Sequence, residues 1–401
     1  MTNKIFETAI VGGGFSGLSA ACALGEVYGD SVVLLEATDR VGKKILATGN
    51  GRCNVTNRKV SAGFYHSVEG CDVEKILRRF GTDYLIEKLA GFGVPVSFEG
   101  DKGYPISRQA SAVCDALRLR VSYIGVQVFT GFRCDEITKR ADGIFVLYAD
   151  KSVVMAKTVI LCSGGRAGVQ YGCDGSGYKL AENFSHSVTK LLPSLVQLKT
   201  ETAKIKGLKG IKCEATVRAY VGERLVAESS GDVLFTDYGV SGNAVFSVSS
   251  YLTGNDNAKV KISFVPDMSE EELTTFILNS LKTIEYLGEE NILGGVVNKR
   301  IARAAINAAG GNLTVKTAAA VAKELKNFTL KVNGTLGFDS AQVTRGGVKF
   351  AEVDCETMES KLVKGLYFAG EILDVDGDCG GFNLQWAFSS AVAAADDIMK
   401  R

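Results

Sequence analysis

Residues 5–36 read IFETAIVGGGFSGLSAACALGEVYGDSVVLLE, and this stretch decides the fold. Residues 5–11 are a short apolar run that reads as a buried strand. Directly after it come Gly12-Gly13-Gly14-Phe15-Ser16-Gly17, which fit G-x-G-x-x-G. Residues 15–28 are rich in small side chains and read as a helix, and residues 32–36 as a second buried strand. Strand, helix and strand within about 30 residues make a βαβ unit, which requires a parallel sheet. Gly12 permits the tight turn, Gly14 lets backbone approach a pyrophosphate at the helix N-terminus, and Gly17 lets helix and strand pack closely. Phe15 and Ser16 lie inside the same turn and are candidate contacts with it. Glu36 ends the second strand, where an acid accepts hydrogen bonds from the ribose hydroxyls of an adenosine; Ala37 beside it is a further candidate. The competing reading is a tight βα turn that holds no ligand.

Outward from this unit, residues 42–57 (GKKILATGNGRCNVTN) read as a polar, glycine-rich loop. Lys44, Gly51, Arg52, Cys53 and Asn54 would bring flexible backbone and cationic side chains to a phosphate or a flavin, although the segment reads equally as surface loop. A helix is predicted over 72–91, where Ile76, Leu77, Phe80, Leu85 and Leu89 recur at helical spacing. A turn at 103–105 and a helix over 107–120 follow. Extended stretches near 124–129, 132–138 and 144–149 read as a three-strand meander, with Val128 a candidate cofactor contact. A strand over 158–162 runs into Ser163-Gly164-Gly165. Residues 194–265 alternate as strands do, and 269–327 carry most of the amphipathic helix pattern. Sheet returns at 342–350 and 364–369, ending at Gly370-Glu371. A glycine-flanked loop through Gly381 then opens a helix over 383–399. An open N-terminus there would aim the N–H groups of Phe382, Asn383 and Leu384 at the negative charge of reduced flavin near N1 and O2.

One dinucleotide fingerprint does not separate NAD from FAD. An NAD dehydrogenase would continue with further βα units, whereas this chain turns to a glycine-rich loop, a meander and a terminal strand–loop–helix. That order suits an FAD-type domain. The fold expected is α/β: a Rossmann-type FAD-binding domain, with parallel sheet, helices and meander, interrupted by an insert with a strand-rich part and a helical part. The expected bounds are 1–192 and 336–401 for the FAD domain and 193–335 for the insert, helical over 267–327.

Composition narrows the classes. Lys+Arg total 46 against Asp+Glu 45 in 401 residues, so no global basic field for nucleic acid exists. Glycine is high at 46, which leans toward a ligand-cradling chain. Ten cysteines contain no C-x-x-C and there are only two histidines, so no zinc or iron–sulfur spacing is present and no metal is expected. No signal-peptide pattern precedes the first strand and no long apolar run follows. A cytoplasmic protein with mostly free, buried thiols is expected.

Several blocks together are specific. They are GGGFSG, GKKILATGNGRCNVTN, Tyr104-Pro105 with Ser107, VILCSGG (159–165), LFTDYGVSG (234–242), VTRGGV (343–348) and MESKLVKGLYFAGEILDVDGDCGGFNLQWAFSS from Met358. On them the chain resembles the YhiN/BaiN/RdsA family of FAD-dependent oxidoreductases, along nearly its whole length. The resemblance implies a Rossmann-type FAD domain split by an insert with a β-barrel-like part and a helical part, non-covalent FAD, and reduction of carbon–carbon double bonds, in unsaturated steroid or bile-acid intermediates or in a uracil of ribosomal RNA. Three positions depart from the family pattern. Asp237 stands where His is usual, Asn243 where Pro is usual, and Ala391 where Gly is usual.

A single fingerprint without a redox C-x-x-C argues against the disulfide-reductase class, so NAD(P)H is expected to visit the flavin as a transient reductant, the alternative being electrons from a partner. Hydride delivery to an electron-poor alkene needs an acid for the adjacent carbon. Tyr104, Tyr238 and Arg345 are the catalytic candidates. A small-molecule substrate is favoured, with RNA as the alternative partner and a non-enzymatic flavin-binding redox protein as a third reading. Lys199, Lys204, Lys206, Lys209, Lys212 and Arg218 could form an RNA-facing patch or merely a solvated strand edge. Cys53 and Cys379 could form a redox pair or simply pack near the flavin. His66 and His186 are not expected to act in catalysis.

Overall fold

The structure is a computed structural model that describes residues 4–150 and 152–401. It divides into two compact units. One comprises the chain up to Leu192 together with Val343–Arg401, the other Pro193–Gln342.

The first unit is built on a sheet of β1 (Ile5–Val11), β2 (Val32–Glu36), β3 (Gln127–Thr130), β4 (Glu136–Lys139), β5 (Phe145–Ala149) and β6 (Ser152–Leu161). Its order is β3-β2-β1-β6-β5-β4, and Leu366–Phe368 also pairs with β6. Strands β3, β2, β1 and β6 are parallel, as is Leu366–Phe368 on β6, while β5 and β4 are antiparallel additions. This is the expected Rossmann-type sheet. Helix α1 (Phe15–Tyr28) crosses from β1 to β2, and its small side chains are buried nearly all round. That burial is completed by the terminal helix (Phe382–Met399), whose Trp386, Phe388 and Ala391–Ala395 join the same core.

Five local expectations are corrected. The stretch at 124–129 does not belong to the meander; β3 pairs in parallel with β2 at the opposite edge, from Val33↔Gln127 to Glu36↔Thr130. Residues 32–35 are buried on both faces, so β2 needs a neighbour on each side. The meander is β4-β5-β6, and β6 begins at Ser152 rather than 158. The helix expected over 72–91 is two helices, Glu74–Arg79 and Thr82–Gly91. At the break the Phe80 carbonyl accepts hydrogen bonds from Ser389 Oγ (2.6 Å) and Gln385 Nε2 (3.1 Å) of the terminal helix, in place of a helical continuation. Residues 102–105 are a strand rather than a turn, in a small antiparallel sheet with Val96–Glu99 and Thr56–Asn57. The glycine-rich loop includes a short helix, Lys43–Ala47.

The second unit has its own core. Leu198–Thr200, Gly239–Ser241, Arg224–Phe235, Lys212–Val221, Ala258–Ser263 and Phe328–Thr335 close into an antiparallel barrel in that order. Helices Glu270–Thr283, Lys299–Ala308 and Ala318–Lys326 pack Leu273, Ile277, Ile301, Ile306 and Val321 into the apolar cluster they share with Val217, Phe235, Ile262 and Phe328. Among the described residues no helix is long and apolar enough to cross a membrane, and all ten cysteines are free.

Candidate cofactor-binding site

The glycine turn is fixed by contacts that tolerate no side chain. Gly12 has φ 106°, donates its N–H to Leu35 O at 2.8 Å, and a Cβ on it would lie 2.5 Å from Cys162 O. A Cβ on Gly17 would lie 1.8 Å from Gly12 O. Gly14 differs: a Cβ there would meet no described atom within 4 Å. It precedes α1, whose first helical bond is Leu18 N–H to Gly14 O and whose N-terminus no side chain caps. The N–H groups of Phe15, Ser16 and Gly17 therefore lie in the open first turn of a 14-residue helix. Glu36 braces the turn, accepting from Gly13 N–H (2.8 Å) and Thr38 N–H (2.7 Å), one on each carboxylate oxygen. Ala37 is exposed beside it, and Val128 lies on β3, opposite Leu34 in the register.

A second cluster follows the end of β6. Ser163, Gly164 and Gly165 lead away from it, and Ser163 Oγ is buried without a hydrogen-bond partner among the described residues. Gly165 has no space for a side chain, because a Cβ would come within 2.5 Å of Thr344 Oγ1 and 2.7 Å of Glu371 Oε1. Thr344 Oγ1 accepts from the N–H groups of Arg166 and Ala167, and Thr344 N–H donates to Glu371. Glu371 also receives Lys44 Nζ at 2.6 Å, and Lys44 donates to Ala167 O as well. Burial, the largest single effect, would lower the Lys44 ammonium, but the charge and hydrogen bond of Glu371 together with Cys173 and Tyr171 outweigh it and hold Lys44 above its ordinary range. Gly370 seats this strand end against α1, where its Cβ would lie 3.0 Å from that of Ser16. Thr344 was not among the sequence candidates; no spacing marks a threonine that ties three segments together.

The third cluster gathers residues 52–57, the 96–105 hairpin and the start of the terminal helix. Gly381 has φ 100°, and a Cβ on it would strike Thr56 O at 2.3 Å. Asn54 Nδ2 donates to Thr56 O and Gly103 O, and Asn57 Nδ2 to Gly380 O. The terminal helix has 18 residues and no side-chain cap; its first bond is Gln385 N–H to Gly381 O, which leaves the N–H groups of Phe382, Asn383 and Leu384 in an open turn. The Asn383 side chain is spent on the loop, bonding both N–H and O of Gly377. The Phe382 ring stacks on Phe64 at 4.7 Å. Tyr104 sits next to Gly103 with the guanidinium carbons of Arg52 and Arg108 at 4.6 and 5.0 Å from its ring centre. Burial raises the Tyr104 phenol above its ordinary range, with the Arg52 charge opposing. Cys53 is fully buried and its thiol is pushed up to about 12 by that burial. A neutral buried thiol is a poor nucleophile, so the packing reading of Cys53 gains over a Cys53–Cys379 redox pair. Arg345 Nε binds the buried Asp376 carboxylate at 3.2 Å, and His66 Nε2 lies 2.7 Å from Asp378 Oδ1.

The family model described as HI0933-like protein Rossmann domain matches residues 6–397. The chain belongs to the HI0933-like family. This is the YhiN/BaiN/RdsA group that its motifs resemble, and the chain is a flavoprotein oxidoreductase. It is 36% identical over 404 residues to the 3-dehydro-bile acid delta(4,6)-reductase of Clostridium scindens, with 98% of each chain covered. It is 30% identical over 414 residues to the ribosomal RNA dihydrouridine synthase of Haemophilus influenzae, covering 98% of this chain and 99% of that one. Among solved structures, the open conformation of a flavocytochrome c3 fumarate reductase shares the fold at TM-score 0.51 and 14% identity, over 99% of this chain and 78% of that one.

Within this HI0933-like chain the departures have local explanations. Asp237, in the usual His position, pairs with Lys209 at 2.8 Å on the surface of the second unit. Tyr238, half-buried in the same turn, accepts Thr200 N–H through its carbonyl. Asn243 opens the helix Asn243–Ser249 against Gly231, where a Cβ would lie 2.5 Å from Asn243 Oδ1. Ala391 is fully buried in the terminal helix. Of the six basic residues considered for RNA, four are matched by carboxylates: Lys204 by Glu324, Lys209 by Asp237, Lys212 by Asp232 and Arg218 by Glu228.

Proposed function

We propose that the first unit holds FAD without a covalent bond, and that the chain reduces an activated carbon–carbon double bond of a small steroid- or bile-acid-like molecule. Bound FAD would supply a hydride from its N5 atom and be restored by NAD(P)H. The observation that carries the reading is the pair of long helices with open, glycine-preceded N-termini, α1 and the terminal helix. The Gly370 contact with Ser16 brings strand 366–368 and the loop after it to the first of them. Such a pair suits a ligand with a pyrophosphate at its middle and a ring that gains negative charge at its end.

In this assignment Gly12, Gly14, Phe15, Ser16 and Gly17 receive the pyrophosphate, and Glu36, Ala37 and Val128 border the adenosine. Lys44, Gly51–Asn54, Ser163–Gly165, Gly370 and Glu371 line the middle. The N–H groups of Phe382, Asn383 and Leu384 stabilise negative charge on the ring. Tyr104 is the proton donor. Its phenol stays protonated at neutral pH, and two guanidinium groups stand over the ring to stabilise the phenolate left after donation. Arg345 is tied to Asp376, and a guanidinium is too weak an acid for the task.

The small-molecule reading is supported by the bile-acid reductase relative and by the carboxylates that neutralise most of the second unit's basic run. Reduction of a uracil in ribosomal RNA is the second reading, supported by the dihydrouridine synthase relative. The test is anaerobic. NADH or NADPH should bleach the flavin, and an unsaturated steroid acid should restore its colour. Recolouring by ribosomal RNA alone would replace the first reading with the second.

A further inference from the structure

The small sheet beside the terminal helix carries a charge imbalance larger than the Tyr104 phenolate alone would use. Arg52 binds Glu99 Oε1, and Arg108 Nε lies 3.1 Å from the same oxygen. One carboxylate therefore serves two guanidinium groups. Lys59 is matched by Asp101 at 2.6 Å, while Lys102 adds its field to Glu99 and Arg58 lies over the Phe98 ring at 3.9 Å. The Arg52 hydrogen bond, against a smaller burial effect, holds the Glu99 carboxyl below its usual range, so it is ionised throughout the neutral range and the excess charge is positive. Arg108 takes this place from a left-handed backbone, φ 54°, which costs energy in a non-glycine residue and persists only where its surroundings hold it. Each guanidinium has five N–H donors in a planar fork shaped for a carboxylate, and a single shared oxygen of Glu99 uses few of them.

We infer that Arg52 and Arg108, held over Tyr104 by Glu99, form a clamp for a carboxylate of the substrate, so that the preferred substrate is an unsaturated acid rather than its neutral ester. This rests on the reading of the chain as a double-bond reductase and adds the group that orients the molecule. The clamp lies next to the proposed proton donor, because both arginines stack on Tyr104. It is also tied to the loop before the terminal helix, through Asn54 to Gly103 and Asn57 to Gly380. An acid gripped there has its anionic end fixed and the rest of its length free to reach the ring and the phenol. Glu99 sets the clamp's net charge and competes for it.

The test compares an unsaturated steroid carboxylic acid with its methyl ester as oxidants of the reduced holoenzyme, at low and high salt. Wild type should favour the acid in kcat/KM, and salt should reduce that preference. Arg108→Gly keeps the left-handed backbone without strain and should cut the acid-to-ester ratio by about ten- to a hundredfold, the worth of one charge-assisted contact. Arg108→Lys restores charge without the fork and should recover part of the ratio. Glu99→Gln removes the competing charge and should raise the ratio, the opposite of what loss of a purely structural carboxylate would do. Equal use of acid and ester by wild type, or a Glu99→Gln ratio that falls, overturns the clamp. If neither compound recolours the flavin, the reductase reading itself fails, and the two failures are thereby distinct.

Discussion

Gly14→Ala separates cofactor binding from folding. Gly14 has φ −76° and ψ −168°, extended backbone open to any residue, and its new Cβ would meet no described atom within 4 Å. The only structural cost is a poorer N-cap, about 1 kcal/mol or less, which corresponds to about 2–4 °C or less in Tm. The same methyl would stand between the N–H groups of α1 and a pyrophosphate. A charge-assisted hydrogen bond contributes about 1.5–3 kcal/mol, so loss of one weakens FAD binding by about ten- to a hundredfold. Gly12→Ala and Gly17→Ala are the contrast. Their Cβ atoms would sit 2.5 Å from Cys162 O and 1.8 Å from Gly12 O, so both should lose about 3 kcal/mol or more of stability before cofactor is considered. The assay strips flavin from each variant, titrates FAD by fluorescence quenching, and melts the same samples. Wild-type FAD affinity in Gly14→Ala, or a melting loss as large as that of Gly12→Ala, would refute the reasoning.

Other expectations follow from single contacts. Lys44→Met leaves the mostly buried Glu371 without its cation and should cost about 1–3 kcal/mol in denaturant unfolding, part of it recovered in the double variant with Glu371→Gln. Cys22, Cys53, Cys134 and Cys162 have thiols pushed to about 12 by burial, so at mildly alkaline pH a thiol reagent followed by mass spectrometry should spare them in the folded chain and modify part-exposed cysteines, such as Cys355 and Cys379, first. At Glu359, burial pushes the carboxyl up, but Arg401 and Gly365 N–H outweigh it and the group ends below its usual range. A depressed folded pKa contributes stability that is present above the unfolded pKa of about 4.3 and is lost as pH falls through the folded value. Glu359→Gln should therefore lower stability at neutral pH, flatten the acid limb of a stability–pH curve and converge with wild type at low pH, which denaturant unfolding at stepped pH would check.

The local half of this molecule was legible in its sequence. β1, α1 and β2 fall on the expected residues because each is coded within its own window: an apolar run, a glycine turn, a small-residue helix. The terminal helix begins within a residue of its expected start for the same reason. What depends on distant partners was not legible. Nothing near Val128 says that its strand runs beside β2 instead of joining the meander. The break at Phe80 is made by Gln385 and Ser389, about 300 residues away. Candidate cofactor residues were legible where glycine marks a close approach, as at Gly12 and Gly381. Thr344, Glu99 and Arg108 carried no such mark, since their importance lies in which side chains they meet after folding.

The most direct measurement is of the cofactor itself. The purified protein is precipitated with acid, and flavin is identified and quantified in the supernatant and in the pellet. FAD released in an amount equal to the chain, with none left in the pellet, is the expected result. A protein that carries and binds no flavin, or whose flavin stays with the precipitated chain, would contradict non-covalent FAD on the α1 turn and the reductase chemistry proposed from it.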